Sequence, residues 1–395
     1  MKLRNARLSV LAFVALLTGA CVSHPEYAAG VACGTSVVSV SDDFEGARRG
    51  TCTVLGPAHF KLDIVPENSP PINDSPWFAF RLSPQQAARV RIKLRYTDGH
   101  HRYVPKISYD RIYWQPIDEQ SITTSLFRRG ASFELNLDER PVYVTAQELI
   151  LPSDYSLWCT NLERFGTAQC SGLGYSGNRQ KIFRIDVNPA ERDTLLIVGR
   201  QHPPEVSGAF AFFAFADTLF AKTELAQQFR EQFRIIAIPM LNPDGVIAGH
   251  WRHNPGGVDL NRDWGPFTQP ETRLIHDLLQ QLDDNGTKIR FFLDFHSTKR
   301  NVFYTQNEEF PTDPPGMMND WLEQSAERIE DYAFENDARA VSEQANSKNY
   351  MYKRYGIPTA TYEVGDETNR LATQKAAVVF AEELMRLLLG QDYAQ

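Results

Sequence analysis

Hydrophobic and polar residues alternate along the chain from about residue 36 to residue 150. The clearest example is residues 90–96, in which Val, Ile, Leu and Tyr alternate with Arg and Lys. Shorter runs of the same kind occupy residues 60–64, 78–82 and 133–137. A strand with this pattern buries one face and exposes the other, which is typical of an antiparallel sandwich. We therefore predict a β-sandwich, and we expect the charged face of residues 90–96 to be solvated surface.

After about residue 155 the pattern changes. Continuous apolar runs, which are predicted strands, now alternate with longer stretches that have helical spacing. The predicted strands are residues 194–198, 235–240 and 290–295, and the predicted helices are residues 208–220, 270–282, 315–332 and a last helix around 376–387. Strands that are apolar on both faces belong to a sheet covered by helices on both sides. The sequence thus predicts a sandwich domain in residues 22–155 and an α/β domain in residues 156–395.

The first 21 residues are predicted to be a signal peptide. Basic residues precede the apolar run of residues 8–17, and small residues lead to Cys21. That run is shorter than the ~20 apolar residues that a membrane span needs. The segment LTGAC resembles the cleavage site of bacterial lipoproteins, in which the Cys becomes the lipidated N-terminus, although Thr18 replaces the usual Leu. We expect an exported protein in the periplasm or outer membrane, with secretion without a lipid as the alternative.

Composition narrows the choice of partners only slightly. The chain has 395 residues and a formal net charge of −8. This length allows two domains with separate cores. Because no basic stripe is present, nucleic acid is not expected to be the main partner.

Four cysteines besides Cys21 form an even set, and export would permit disulfides. They are Cys33, Cys52, Cys159 and Cys170. Proximity in the sequence suggests the pairs 33–52 and 159–170, but three pairings are possible and free buried thiols are the alternative. No Cys-x-x-Cys spacing indicates a thiolate metal site.

Unusual polar residues follow the predicted apolar strands, where functional residues of α/β proteins gather. His202 and Glu205, in the segment RQHPPE, follow the first strand, and His296, in DFHST, ends the third. Two His and one Glu are a ligand set for catalytic zinc, and Glu363 in TYEVGDET would be a spare carboxylate that acts on water. Taken singly, each has a simpler explanation: HPPE is compatible with a surface turn, and His296 with a hydrogen-bonded core histidine.

In combination, these segments resemble the zinc carboxypeptidase family, and within it the bacterial members of the cytosolic-carboxypeptidase-like branch. The resemblance rests on HPPE, on the pattern NPDGV…G..R….G.DLNR.W, on DFHS and on TYEVGDET. Four segments of the first part, DDFEGARRG, SPWFAFRL, RIYW and YVTAQELILPSDYSLW, resemble the sandwich that precedes the catalytic domain in that branch. The family implies an α/β catalytic domain with a mixed sheet, covered by helices on both faces and preceded by an all-β antiparallel sandwich.

The resemblance also implies a role for each matching residue. The implied ligands of one Zn²⁺ per chain are His202, Glu205 and His296. The other implied roles are general base for Glu363, oxyanion stabiliser for Arg252, and binding of the substrate carboxylate for Asn261 and Arg262. If Glu363 were not the base, Asp366 and Glu367 would be next in line.

Some residues depart from the family pattern. Pro204 stands where the branch favours Gly, and no second His follows His296 directly. The mobile tyrosine of the family has no motif here, and Tyr350 and Tyr352 are the candidates for substrate binding. His250 and His253, which flank Arg252, are interpreted as loop residues and not as ligands.

The predicted function is a zinc metallocarboxypeptidase acting on peptides or peptide-like substrates with a free C-terminal carboxylate. Two alternatives remain: a zinc deacylase or amidase of small N-acyl amino acids or cell-wall peptides, and a non-catalytic binding lipoprotein. Contact with a membrane is expected only through a lipid on Cys21. The sequence indicates neither the preferred C-terminal residue nor the oligomeric state.

Overall fold

The computed structural model of the protein describes residues 33–166, 168–187 and 192–390. The predicted signal peptide and Cys21 lie outside these ranges. Within them, no helix combines the length and the apolar character needed to cross a membrane.

The first part of the described chain forms two β-sheets that pack face to face. Its strands are β1 (Cys33–Gly34), β2 (Val38–Ser41), β3 (Thr51–Gly56), β4 (His59–Ile64), β5 (Ala79–Pro84), β6 (Ala88–Tyr96), β7 (Lys106–Ser108), β8 (Gln115–Pro116), β9 (Thr123–Thr124), β10 (Gly130–Leu137) and β11 (Val142–Thr145). The first sheet has the order β1-β2-β5-β11-β7-β8, and the second has the order β3-β4-β6-β10-β9. Apolar side chains from both sheets form one buried cluster between them, which confirms the predicted sandwich.

Strand β6 shows why the alternation predicts the fold. Its apolar residues from Val90 to Tyr96 are buried, and the basic residues between them are exposed. On the outer face Arg91 forms an ion pair with Glu134 of β10, so the charged face is solvent-facing, as expected. One pair, β4 with β6, is parallel. The reason is that β5, which lies between them in the chain, belongs to the other sheet, so the chain crosses over and returns in the same direction.

Two disulfides are present in the described part of the chain, and each joins two cysteines that are consecutive in the sequence. Cys33 pairs with Cys52, and Cys159 pairs with Cys170. The first bond links β1 of one sandwich sheet to β3 of the other sheet. It therefore ties the two sheets together at one edge of the sandwich.

We expect a Cys33→Ala/Cys52→Ala double variant to lose ~2–4 kcal/mol in the free energy of unfolding, because the open chain gains conformational entropy when it unfolds. The cross-link spans a sequence separation of 19 residues. Urea unfolding of both proteins under non-reducing conditions measures the difference. A midpoint equal to that of the parent protein would show that this cross-link adds no stability.

The second part is built on an eight-stranded mixed sheet. Its strands are β12 (Gln169–Tyr175), β13 (Lys181–Val187), β14 (Thr194–Gly199), β15 (Arg234–Ile238), β16 (Ile289–Thr298), β17 (Val302–Gln306), β18 (Glu335–Arg339) and β19 (Thr359–Gly365). The order is β12-β13-β15-β14-β16-β19-β17-β18. The pairs β15–β14, β14–β16, β16–β19 and β17–β18 are parallel, and the others are antiparallel.

Helices cover both faces of this sheet. They are α1 (Pro152–Arg164), α2 (Val206–Phe220), α3 (Glu224–Gln232), α4 (Pro243–Ile247), α5 (Pro270–Asp284), α6 (Met317–Arg328), α7 (Ser347–Tyr355) and α8 (Arg370–Leu389). In β14, Leu195 and Ile197 pack in the cluster that contains α2, α6 and α8, whereas Leu196 and Val198 pack in the cluster that contains α5. Strand β14 is thus buried on both faces, which confirms the predicted α/β fold.

The helix expected at residues 315–332 is shorter than predicted. It begins at Met317, because Gly316 has a left-handed backbone conformation with φ of 74° and so cannot be part of the helix. It ends at Arg328, since Ile329 has extended backbone. Tyr332 then returns to the core.

A continuous apolar cluster joins the sandwich to the α/β part. Val206 of α2 and Trp251, from the loop after α4, are fully buried in the same cluster as the sandwich core. Helix α1 (Pro152–Arg164) runs across residue 155, where the sequence pattern changes. The junction is therefore packed core and not an exposed linker.

Candidate metal centre and active site

Three neighbouring parallel strands bring the predicted site residues to one edge of the sheet. His202 and Glu205 follow β14, His296 lies near the end of β16, and Glu363 lies near the end of β19. In the pairing of β16 with β19, His296 is directly opposite Glu363. The carboxyl ends of parallel strands are the usual place for a site in an α/β sheet.

His202, Glu205 and His296 form a compact buried cluster. Their candidate ligand atoms all lie within 4.8 Å of one another, and the three residues are at most 5% exposed. Nδ1 of His202 lies 2.8 Å from Oε1 of Glu205, and Nδ1 of His296 lies 2.7 Å from Oε2. The two Nδ1 atoms are 3.1 Å apart.

The contacts of the two Nε2 atoms determine which imidazole nitrogens are free to bind a ligand. Nε2 of His202 lies 2.9 Å from Oδ1 of Asp259, and Nε2 of His296 lies 2.8 Å from Oδ2 of Asp294. Each Nε2 therefore donates its hydrogen to a carboxylate, which leaves both Nδ1 lone pairs facing each other and Glu205. Such an arrangement is repulsive unless a proton or a metal cation lies between the groups, and carboxylate-oriented imidazoles are typical of metal ligands. The donor set fits zinc.

The charges around the cluster also favour a cation. Burial alone would raise the pKa of Glu205, but the imidazoles of His202 and His296 outweigh it and hold the pKa well below its usual range. Burial would lower the pKa of His296, whereas Asp294 and Glu205 raise it above its ordinary value. A buried carboxylate that stays ionised beside two imidazoles is a suitable ligand for a divalent ion.

Glu363 supplies a second carboxylate beside this cluster. Its Oε2 atom is buried and has no hydrogen-bond partner among the described residues. Burial, followed by the nearby charge of Glu205, raises the pKa of Glu363 to about 7. A buried carboxylate oxygen without a partner is uncommon and needs an explanation, such as a water or substrate group that it serves.

Arg252 lies at the edge of the cluster. Its Nε donates to Oδ2 of Asp259 at 2.8 Å, and its Nη1 lies 3.8 Å from Oε1 of Glu205. Asp259 thus holds both His202 and Arg252, one with each carboxylate oxygen. Burial would raise the pKa of Asp259, but His202 and Arg252 lower it strongly, so this carboxylate is an anion.

Asn261 and Arg262 lie next to the cluster on a short turn. The Asn261 amide nitrogen is 3.3 Å from Nε2 of His296, and its oxygen accepts a hydrogen bond from the backbone N–H of Ser347. Nη1 of Arg262 donates to the carbonyl of Asn261 at 2.6 Å. The Gln344 side chain is oriented so that its amide oxygen accepts hydrogen bonds from Nε and Nη2 of Arg262 at 3.0 and 3.1 Å. A neutral amide oxygen therefore occupies the fork that a carboxylate would use.

The two candidate tyrosines have contacts elsewhere. The Tyr350 ring packs against Trp264 and Phe267, and its hydroxyl accepts a hydrogen bond from Arg354. The Tyr352 hydroxyl donates to a backbone carbonyl in the preceding loop. The assignment of Tyr350 to substrate binding stays a prediction, and its hydroxyl, which accepts from Arg354, still has a hydrogen to donate.

The remaining candidates are engaged outside the cluster. Asp366 accepts two hydrogen bonds from Arg102, and Glu367 accepts one from Lys106. His250 contacts the backbone carbonyl of His253, as expected of a loop residue.

Sequence reasoning missed the residues that orient the ligands. Asp259 and Asp294 lie inside the quoted segments DLNR and DFHS, so their proximity to the ligands was a usable signal. A third residue, Glu67, comes from the sandwich and accepts hydrogen bonds from the backbone of the Arg252 loop. No motif marks it.

This fold and donor set point to a metal-dependent hydrolase. The family follows from the sequence, since the zinc carboxypeptidase family model matches residues 167–385, more than half of the chain. This chain belongs to the zinc carboxypeptidase family, which is zinc-dependent.

Relatives in the cytosolic branch match shorter stretches of the sequence. Human cytosolic carboxypeptidase 6 is 32% identical over 165 residues, which are 38% of this chain and 32% of that protein. Human cytosolic carboxypeptidase 4 is 38% identical over 113 residues, which are 27% of this chain and 10% of that protein. The matches thus span a third or less of the length of these curated relatives. They agree with the resemblance of the motifs to that branch.

Two solved bacterial structures share the fold over nearly the whole described chain. A metallo-carboxypeptidase from Burkholderia cenocepacia has a TM-score of 0.75 at 16% identity, covering 89% of this chain and 99% of that one. A metallo-carboxypeptidase from Pseudomonas aeruginosa, in complex with (2-guanidinoethylmercapto)succinic acid, has a TM-score of 0.73 at 18% identity, covering 88% and 98%. At these identities the likeness shows the fold.

Proposed function

We propose that this protein is a zinc metallocarboxypeptidase that hydrolyses the last peptide bond of substrates with a free C-terminal carboxylate. One observation carries the proposal: Glu363 lies opposite the ligand His296, with a buried oxygen that is unpartnered among the described residues. A carboxylate in this position is suited to exchange protons with water at a metal site. Family membership supports the same reaction.

In this proposal His202, Glu205 and His296 hold one zinc ion per chain. When bound, zinc supplies a Lewis acid that polarises the substrate carbonyl and eases the deprotonation of water. Glu363 takes a proton from the attacking water and passes it to the amine of the departing residue. One water is consumed, and the products are a shortened peptide and a free amino acid.

The two arginines are proposed to serve different charges. Arg252 stabilises the negative oxygen that develops when the carbonyl carbon becomes tetrahedral, because its guanidinium lies at the edge of the ligand cluster. Arg262, with the amide of Asn261, binds the terminal carboxylate, for which a planar guanidinium fork is suited. The substrate carboxylate then replaces the Gln344 oxygen on Arg262.

We expect Arg252→Ala mainly to lower kcat, because its partner charge exists only in the transition state. The loss of one oxyanion donor costs ~3 kcal/mol, or on the order of a hundredfold in rate. Arg262→Ala should chiefly raise KM, because the carboxylate is bound equally in the ground state and the transition state. Steady-state kinetics on a matched pair of peptides, one with a free and one with an amidated C-terminus, measure both effects.

Arg273→Ala is the control, because within the described residues this arginine donates to the backbone carbonyls of Phe267 and Thr268, which precede α5. It should discriminate between the two peptides as the parent enzyme does. If Arg262→Ala also retains the full preference for the free acid, its carboxylate-binding role is wrong, and an endopeptidase becomes the better interpretation.

The alternatives have no specific contact in their favour. A non-catalytic binding protein has no need of the three ligands and the adjacent Glu363 together. A deacylase of small N-acyl amino acids would also use Arg262, so only substrates separate the two enzymes. We therefore propose a panel of peptides with different C-terminal residues, D-amino acids included, together with N-acetyl amino acids. Turnover of the N-acetyl amino acids alone would contradict the carboxypeptidase.

We also propose that the protein is exported, with residues 1–21 acting as a signal segment and Cys21 as a lipid attachment site. The two disulfides support an oxidising compartment. Peptides of bacterial cell walls would then be accessible substrates. Mass analysis of the mature N-terminus tests this, because an unprocessed or unlipidated Cys21 would rule out the anchor.

A further inference from the structure

A buried carboxylate of the sandwich contacts the loop that carries Arg252. Glu67 lies in the loop between β4 and β5, and its side chain is only 4% exposed. Its Oε2 accepts a hydrogen bond from the backbone N–H of Trp251 at 2.7 Å. Its Oε1 accepts from the N–H of Arg252 at 2.9 Å and of His253 at 2.7 Å. Three consecutive amides thus converge on one side chain.

This carboxylate is held as an anion. Burial alone would raise the pKa of Glu67, but the hydrogen bonds from the backbone of His253 and Trp251 outweigh burial and lower it. Hydrogen bonds to an ionised acceptor are about twice as strong as neutral ones. The backbone of residues 251–253 is therefore fixed more firmly than an ordinary surface loop.

The side chain of Trp251 fixes the same loop from its other side. Trp251 is fully buried in the cluster that contains the sandwich core. Arg252, the next residue, is thus attached to the sandwich through its own N–H and through its neighbour's ring. The guanidinium of Arg252, in contrast, is directed toward Asp259 and Glu205.

We propose that Glu67 is a positioning residue that holds Arg252 in register with the metal cluster. This rests on the proposed role of Arg252 in stabilising the oxyanion. Displacement of a reacting or stabilising group by about 1 Å costs on the order of a hundredfold in rate. The sandwich therefore contributes to catalysis. It fixes the position of Arg252, which belongs to the α/β part and stabilises the transition state.

The experiment has one readout that does not depend on activity. Amide hydrogen exchange of the peptide containing residues 251–253 is measured in the parent protein and in Glu67→Ala. We expect at least about tenfold faster exchange in the variant, because the three amides lose their acceptor. An unchanged exchange rate of these amides would show that Glu67 does not position the loop.

The second readout is kinetic. In Glu67→Ala we expect kcat to fall roughly tenfold to a hundredfold with KM within about twofold, because the effect runs through a transition-state donor. Glu67→Gln, which keeps one acceptor oxygen, should lie between the parent and Glu67→Ala. The double variant Glu67→Ala/Arg252→Ala should be no slower than Arg252→Ala, because the two changes remove one function.

Glu148→Gln is the matched control. Glu148 is also a sandwich-side acid at the junction, is mostly buried, and accepts two hydrogen bonds from Arg370, but it does not contact residues 251–253. It should keep both the exchange rate and kcat. A Glu67→Ala protein with parent-like kcat, or a fully additive double variant, overturns the inference while leaving the carboxypeptidase intact. A parent protein that cleaves no peptide refutes the proposed function itself, whatever the exchange shows.

Discussion

A Glu363→Gln variant is expected to keep its zinc and its fold and to lose about 10²–10⁴-fold in kcat. The amide is nearly the same size as the carboxylate, but it cannot accept a proton from water or return one to the leaving amine, and this transfer typically contributes that factor. The buried, unpartnered Oε2 of Glu363 is the atom that the change affects most directly. Zinc content and steady-state turnover of the purified protein measure both parts of the expectation.

Glu367→Gln is the control for this experiment. Glu367 lies four residues further along and binds Lys106 and the backbone of Val104. The same loss of charge there should leave turnover near that of the parent protein. If instead Glu367→Gln were inactive and Glu363→Gln active, the general base would have to be reassigned.

The second large effect is expected from removal of a metal ligand. His296→Ala should lower zinc affinity by well over about a hundredfold and remove turnover, because loss of an outer-shell partner alone costs ~10–100-fold. Asp294→Asn, which alters the carboxylate that accepts from His296 Nε2 and also from Gln201 and Ser347, should show that smaller loss. Metal analysis after dialysis against a weak chelator ranks the three proteins.

His253→Ala should retain zinc in the same dialysis, because its imidazole contacts Asn68 and not the cluster. Loss of zinc from His253→Ala, or full zinc retention by His296→Ala, would show that the ligand set is wrong.

The sequence predicted those strands and helices in which the pattern of apolar residues matches the pattern of burial. Residues 195–198 are apolar throughout, and every residue of β14 is buried. By contrast, β18 reads ENDAR and is mostly exposed at the edge of the sheet, so no hydrophobic pattern marks it. The parallel pairing of β4 with β6 could not be predicted either. The pairing of distant strands depends on contacts that the alternation of apolar and polar residues does not specify.

The same limit applies to the site. His202, Glu205, His296 and Glu363 lie in recognisable segments, and the fold brings them together. Glu67 contacts Arg252 across a separation of 185 residues, and nothing in its own surroundings in the sequence indicates a partner. The residues that do chemistry were therefore easier to find than the residue that positions one of them.

The shared apolar cluster around Trp251 has a consequence for how such a protein can evolve. A gene rearrangement that exchanged the sandwich for another module would leave an indole without its pocket and three loop amides without their acceptor. We therefore expect the two parts to be inherited as one unit, and substitutions near Glu67 and near Trp251 to be accepted only as compensating pairs. A lineage that discarded the sandwich would first have to acquire a new support for the loop that carries Arg252.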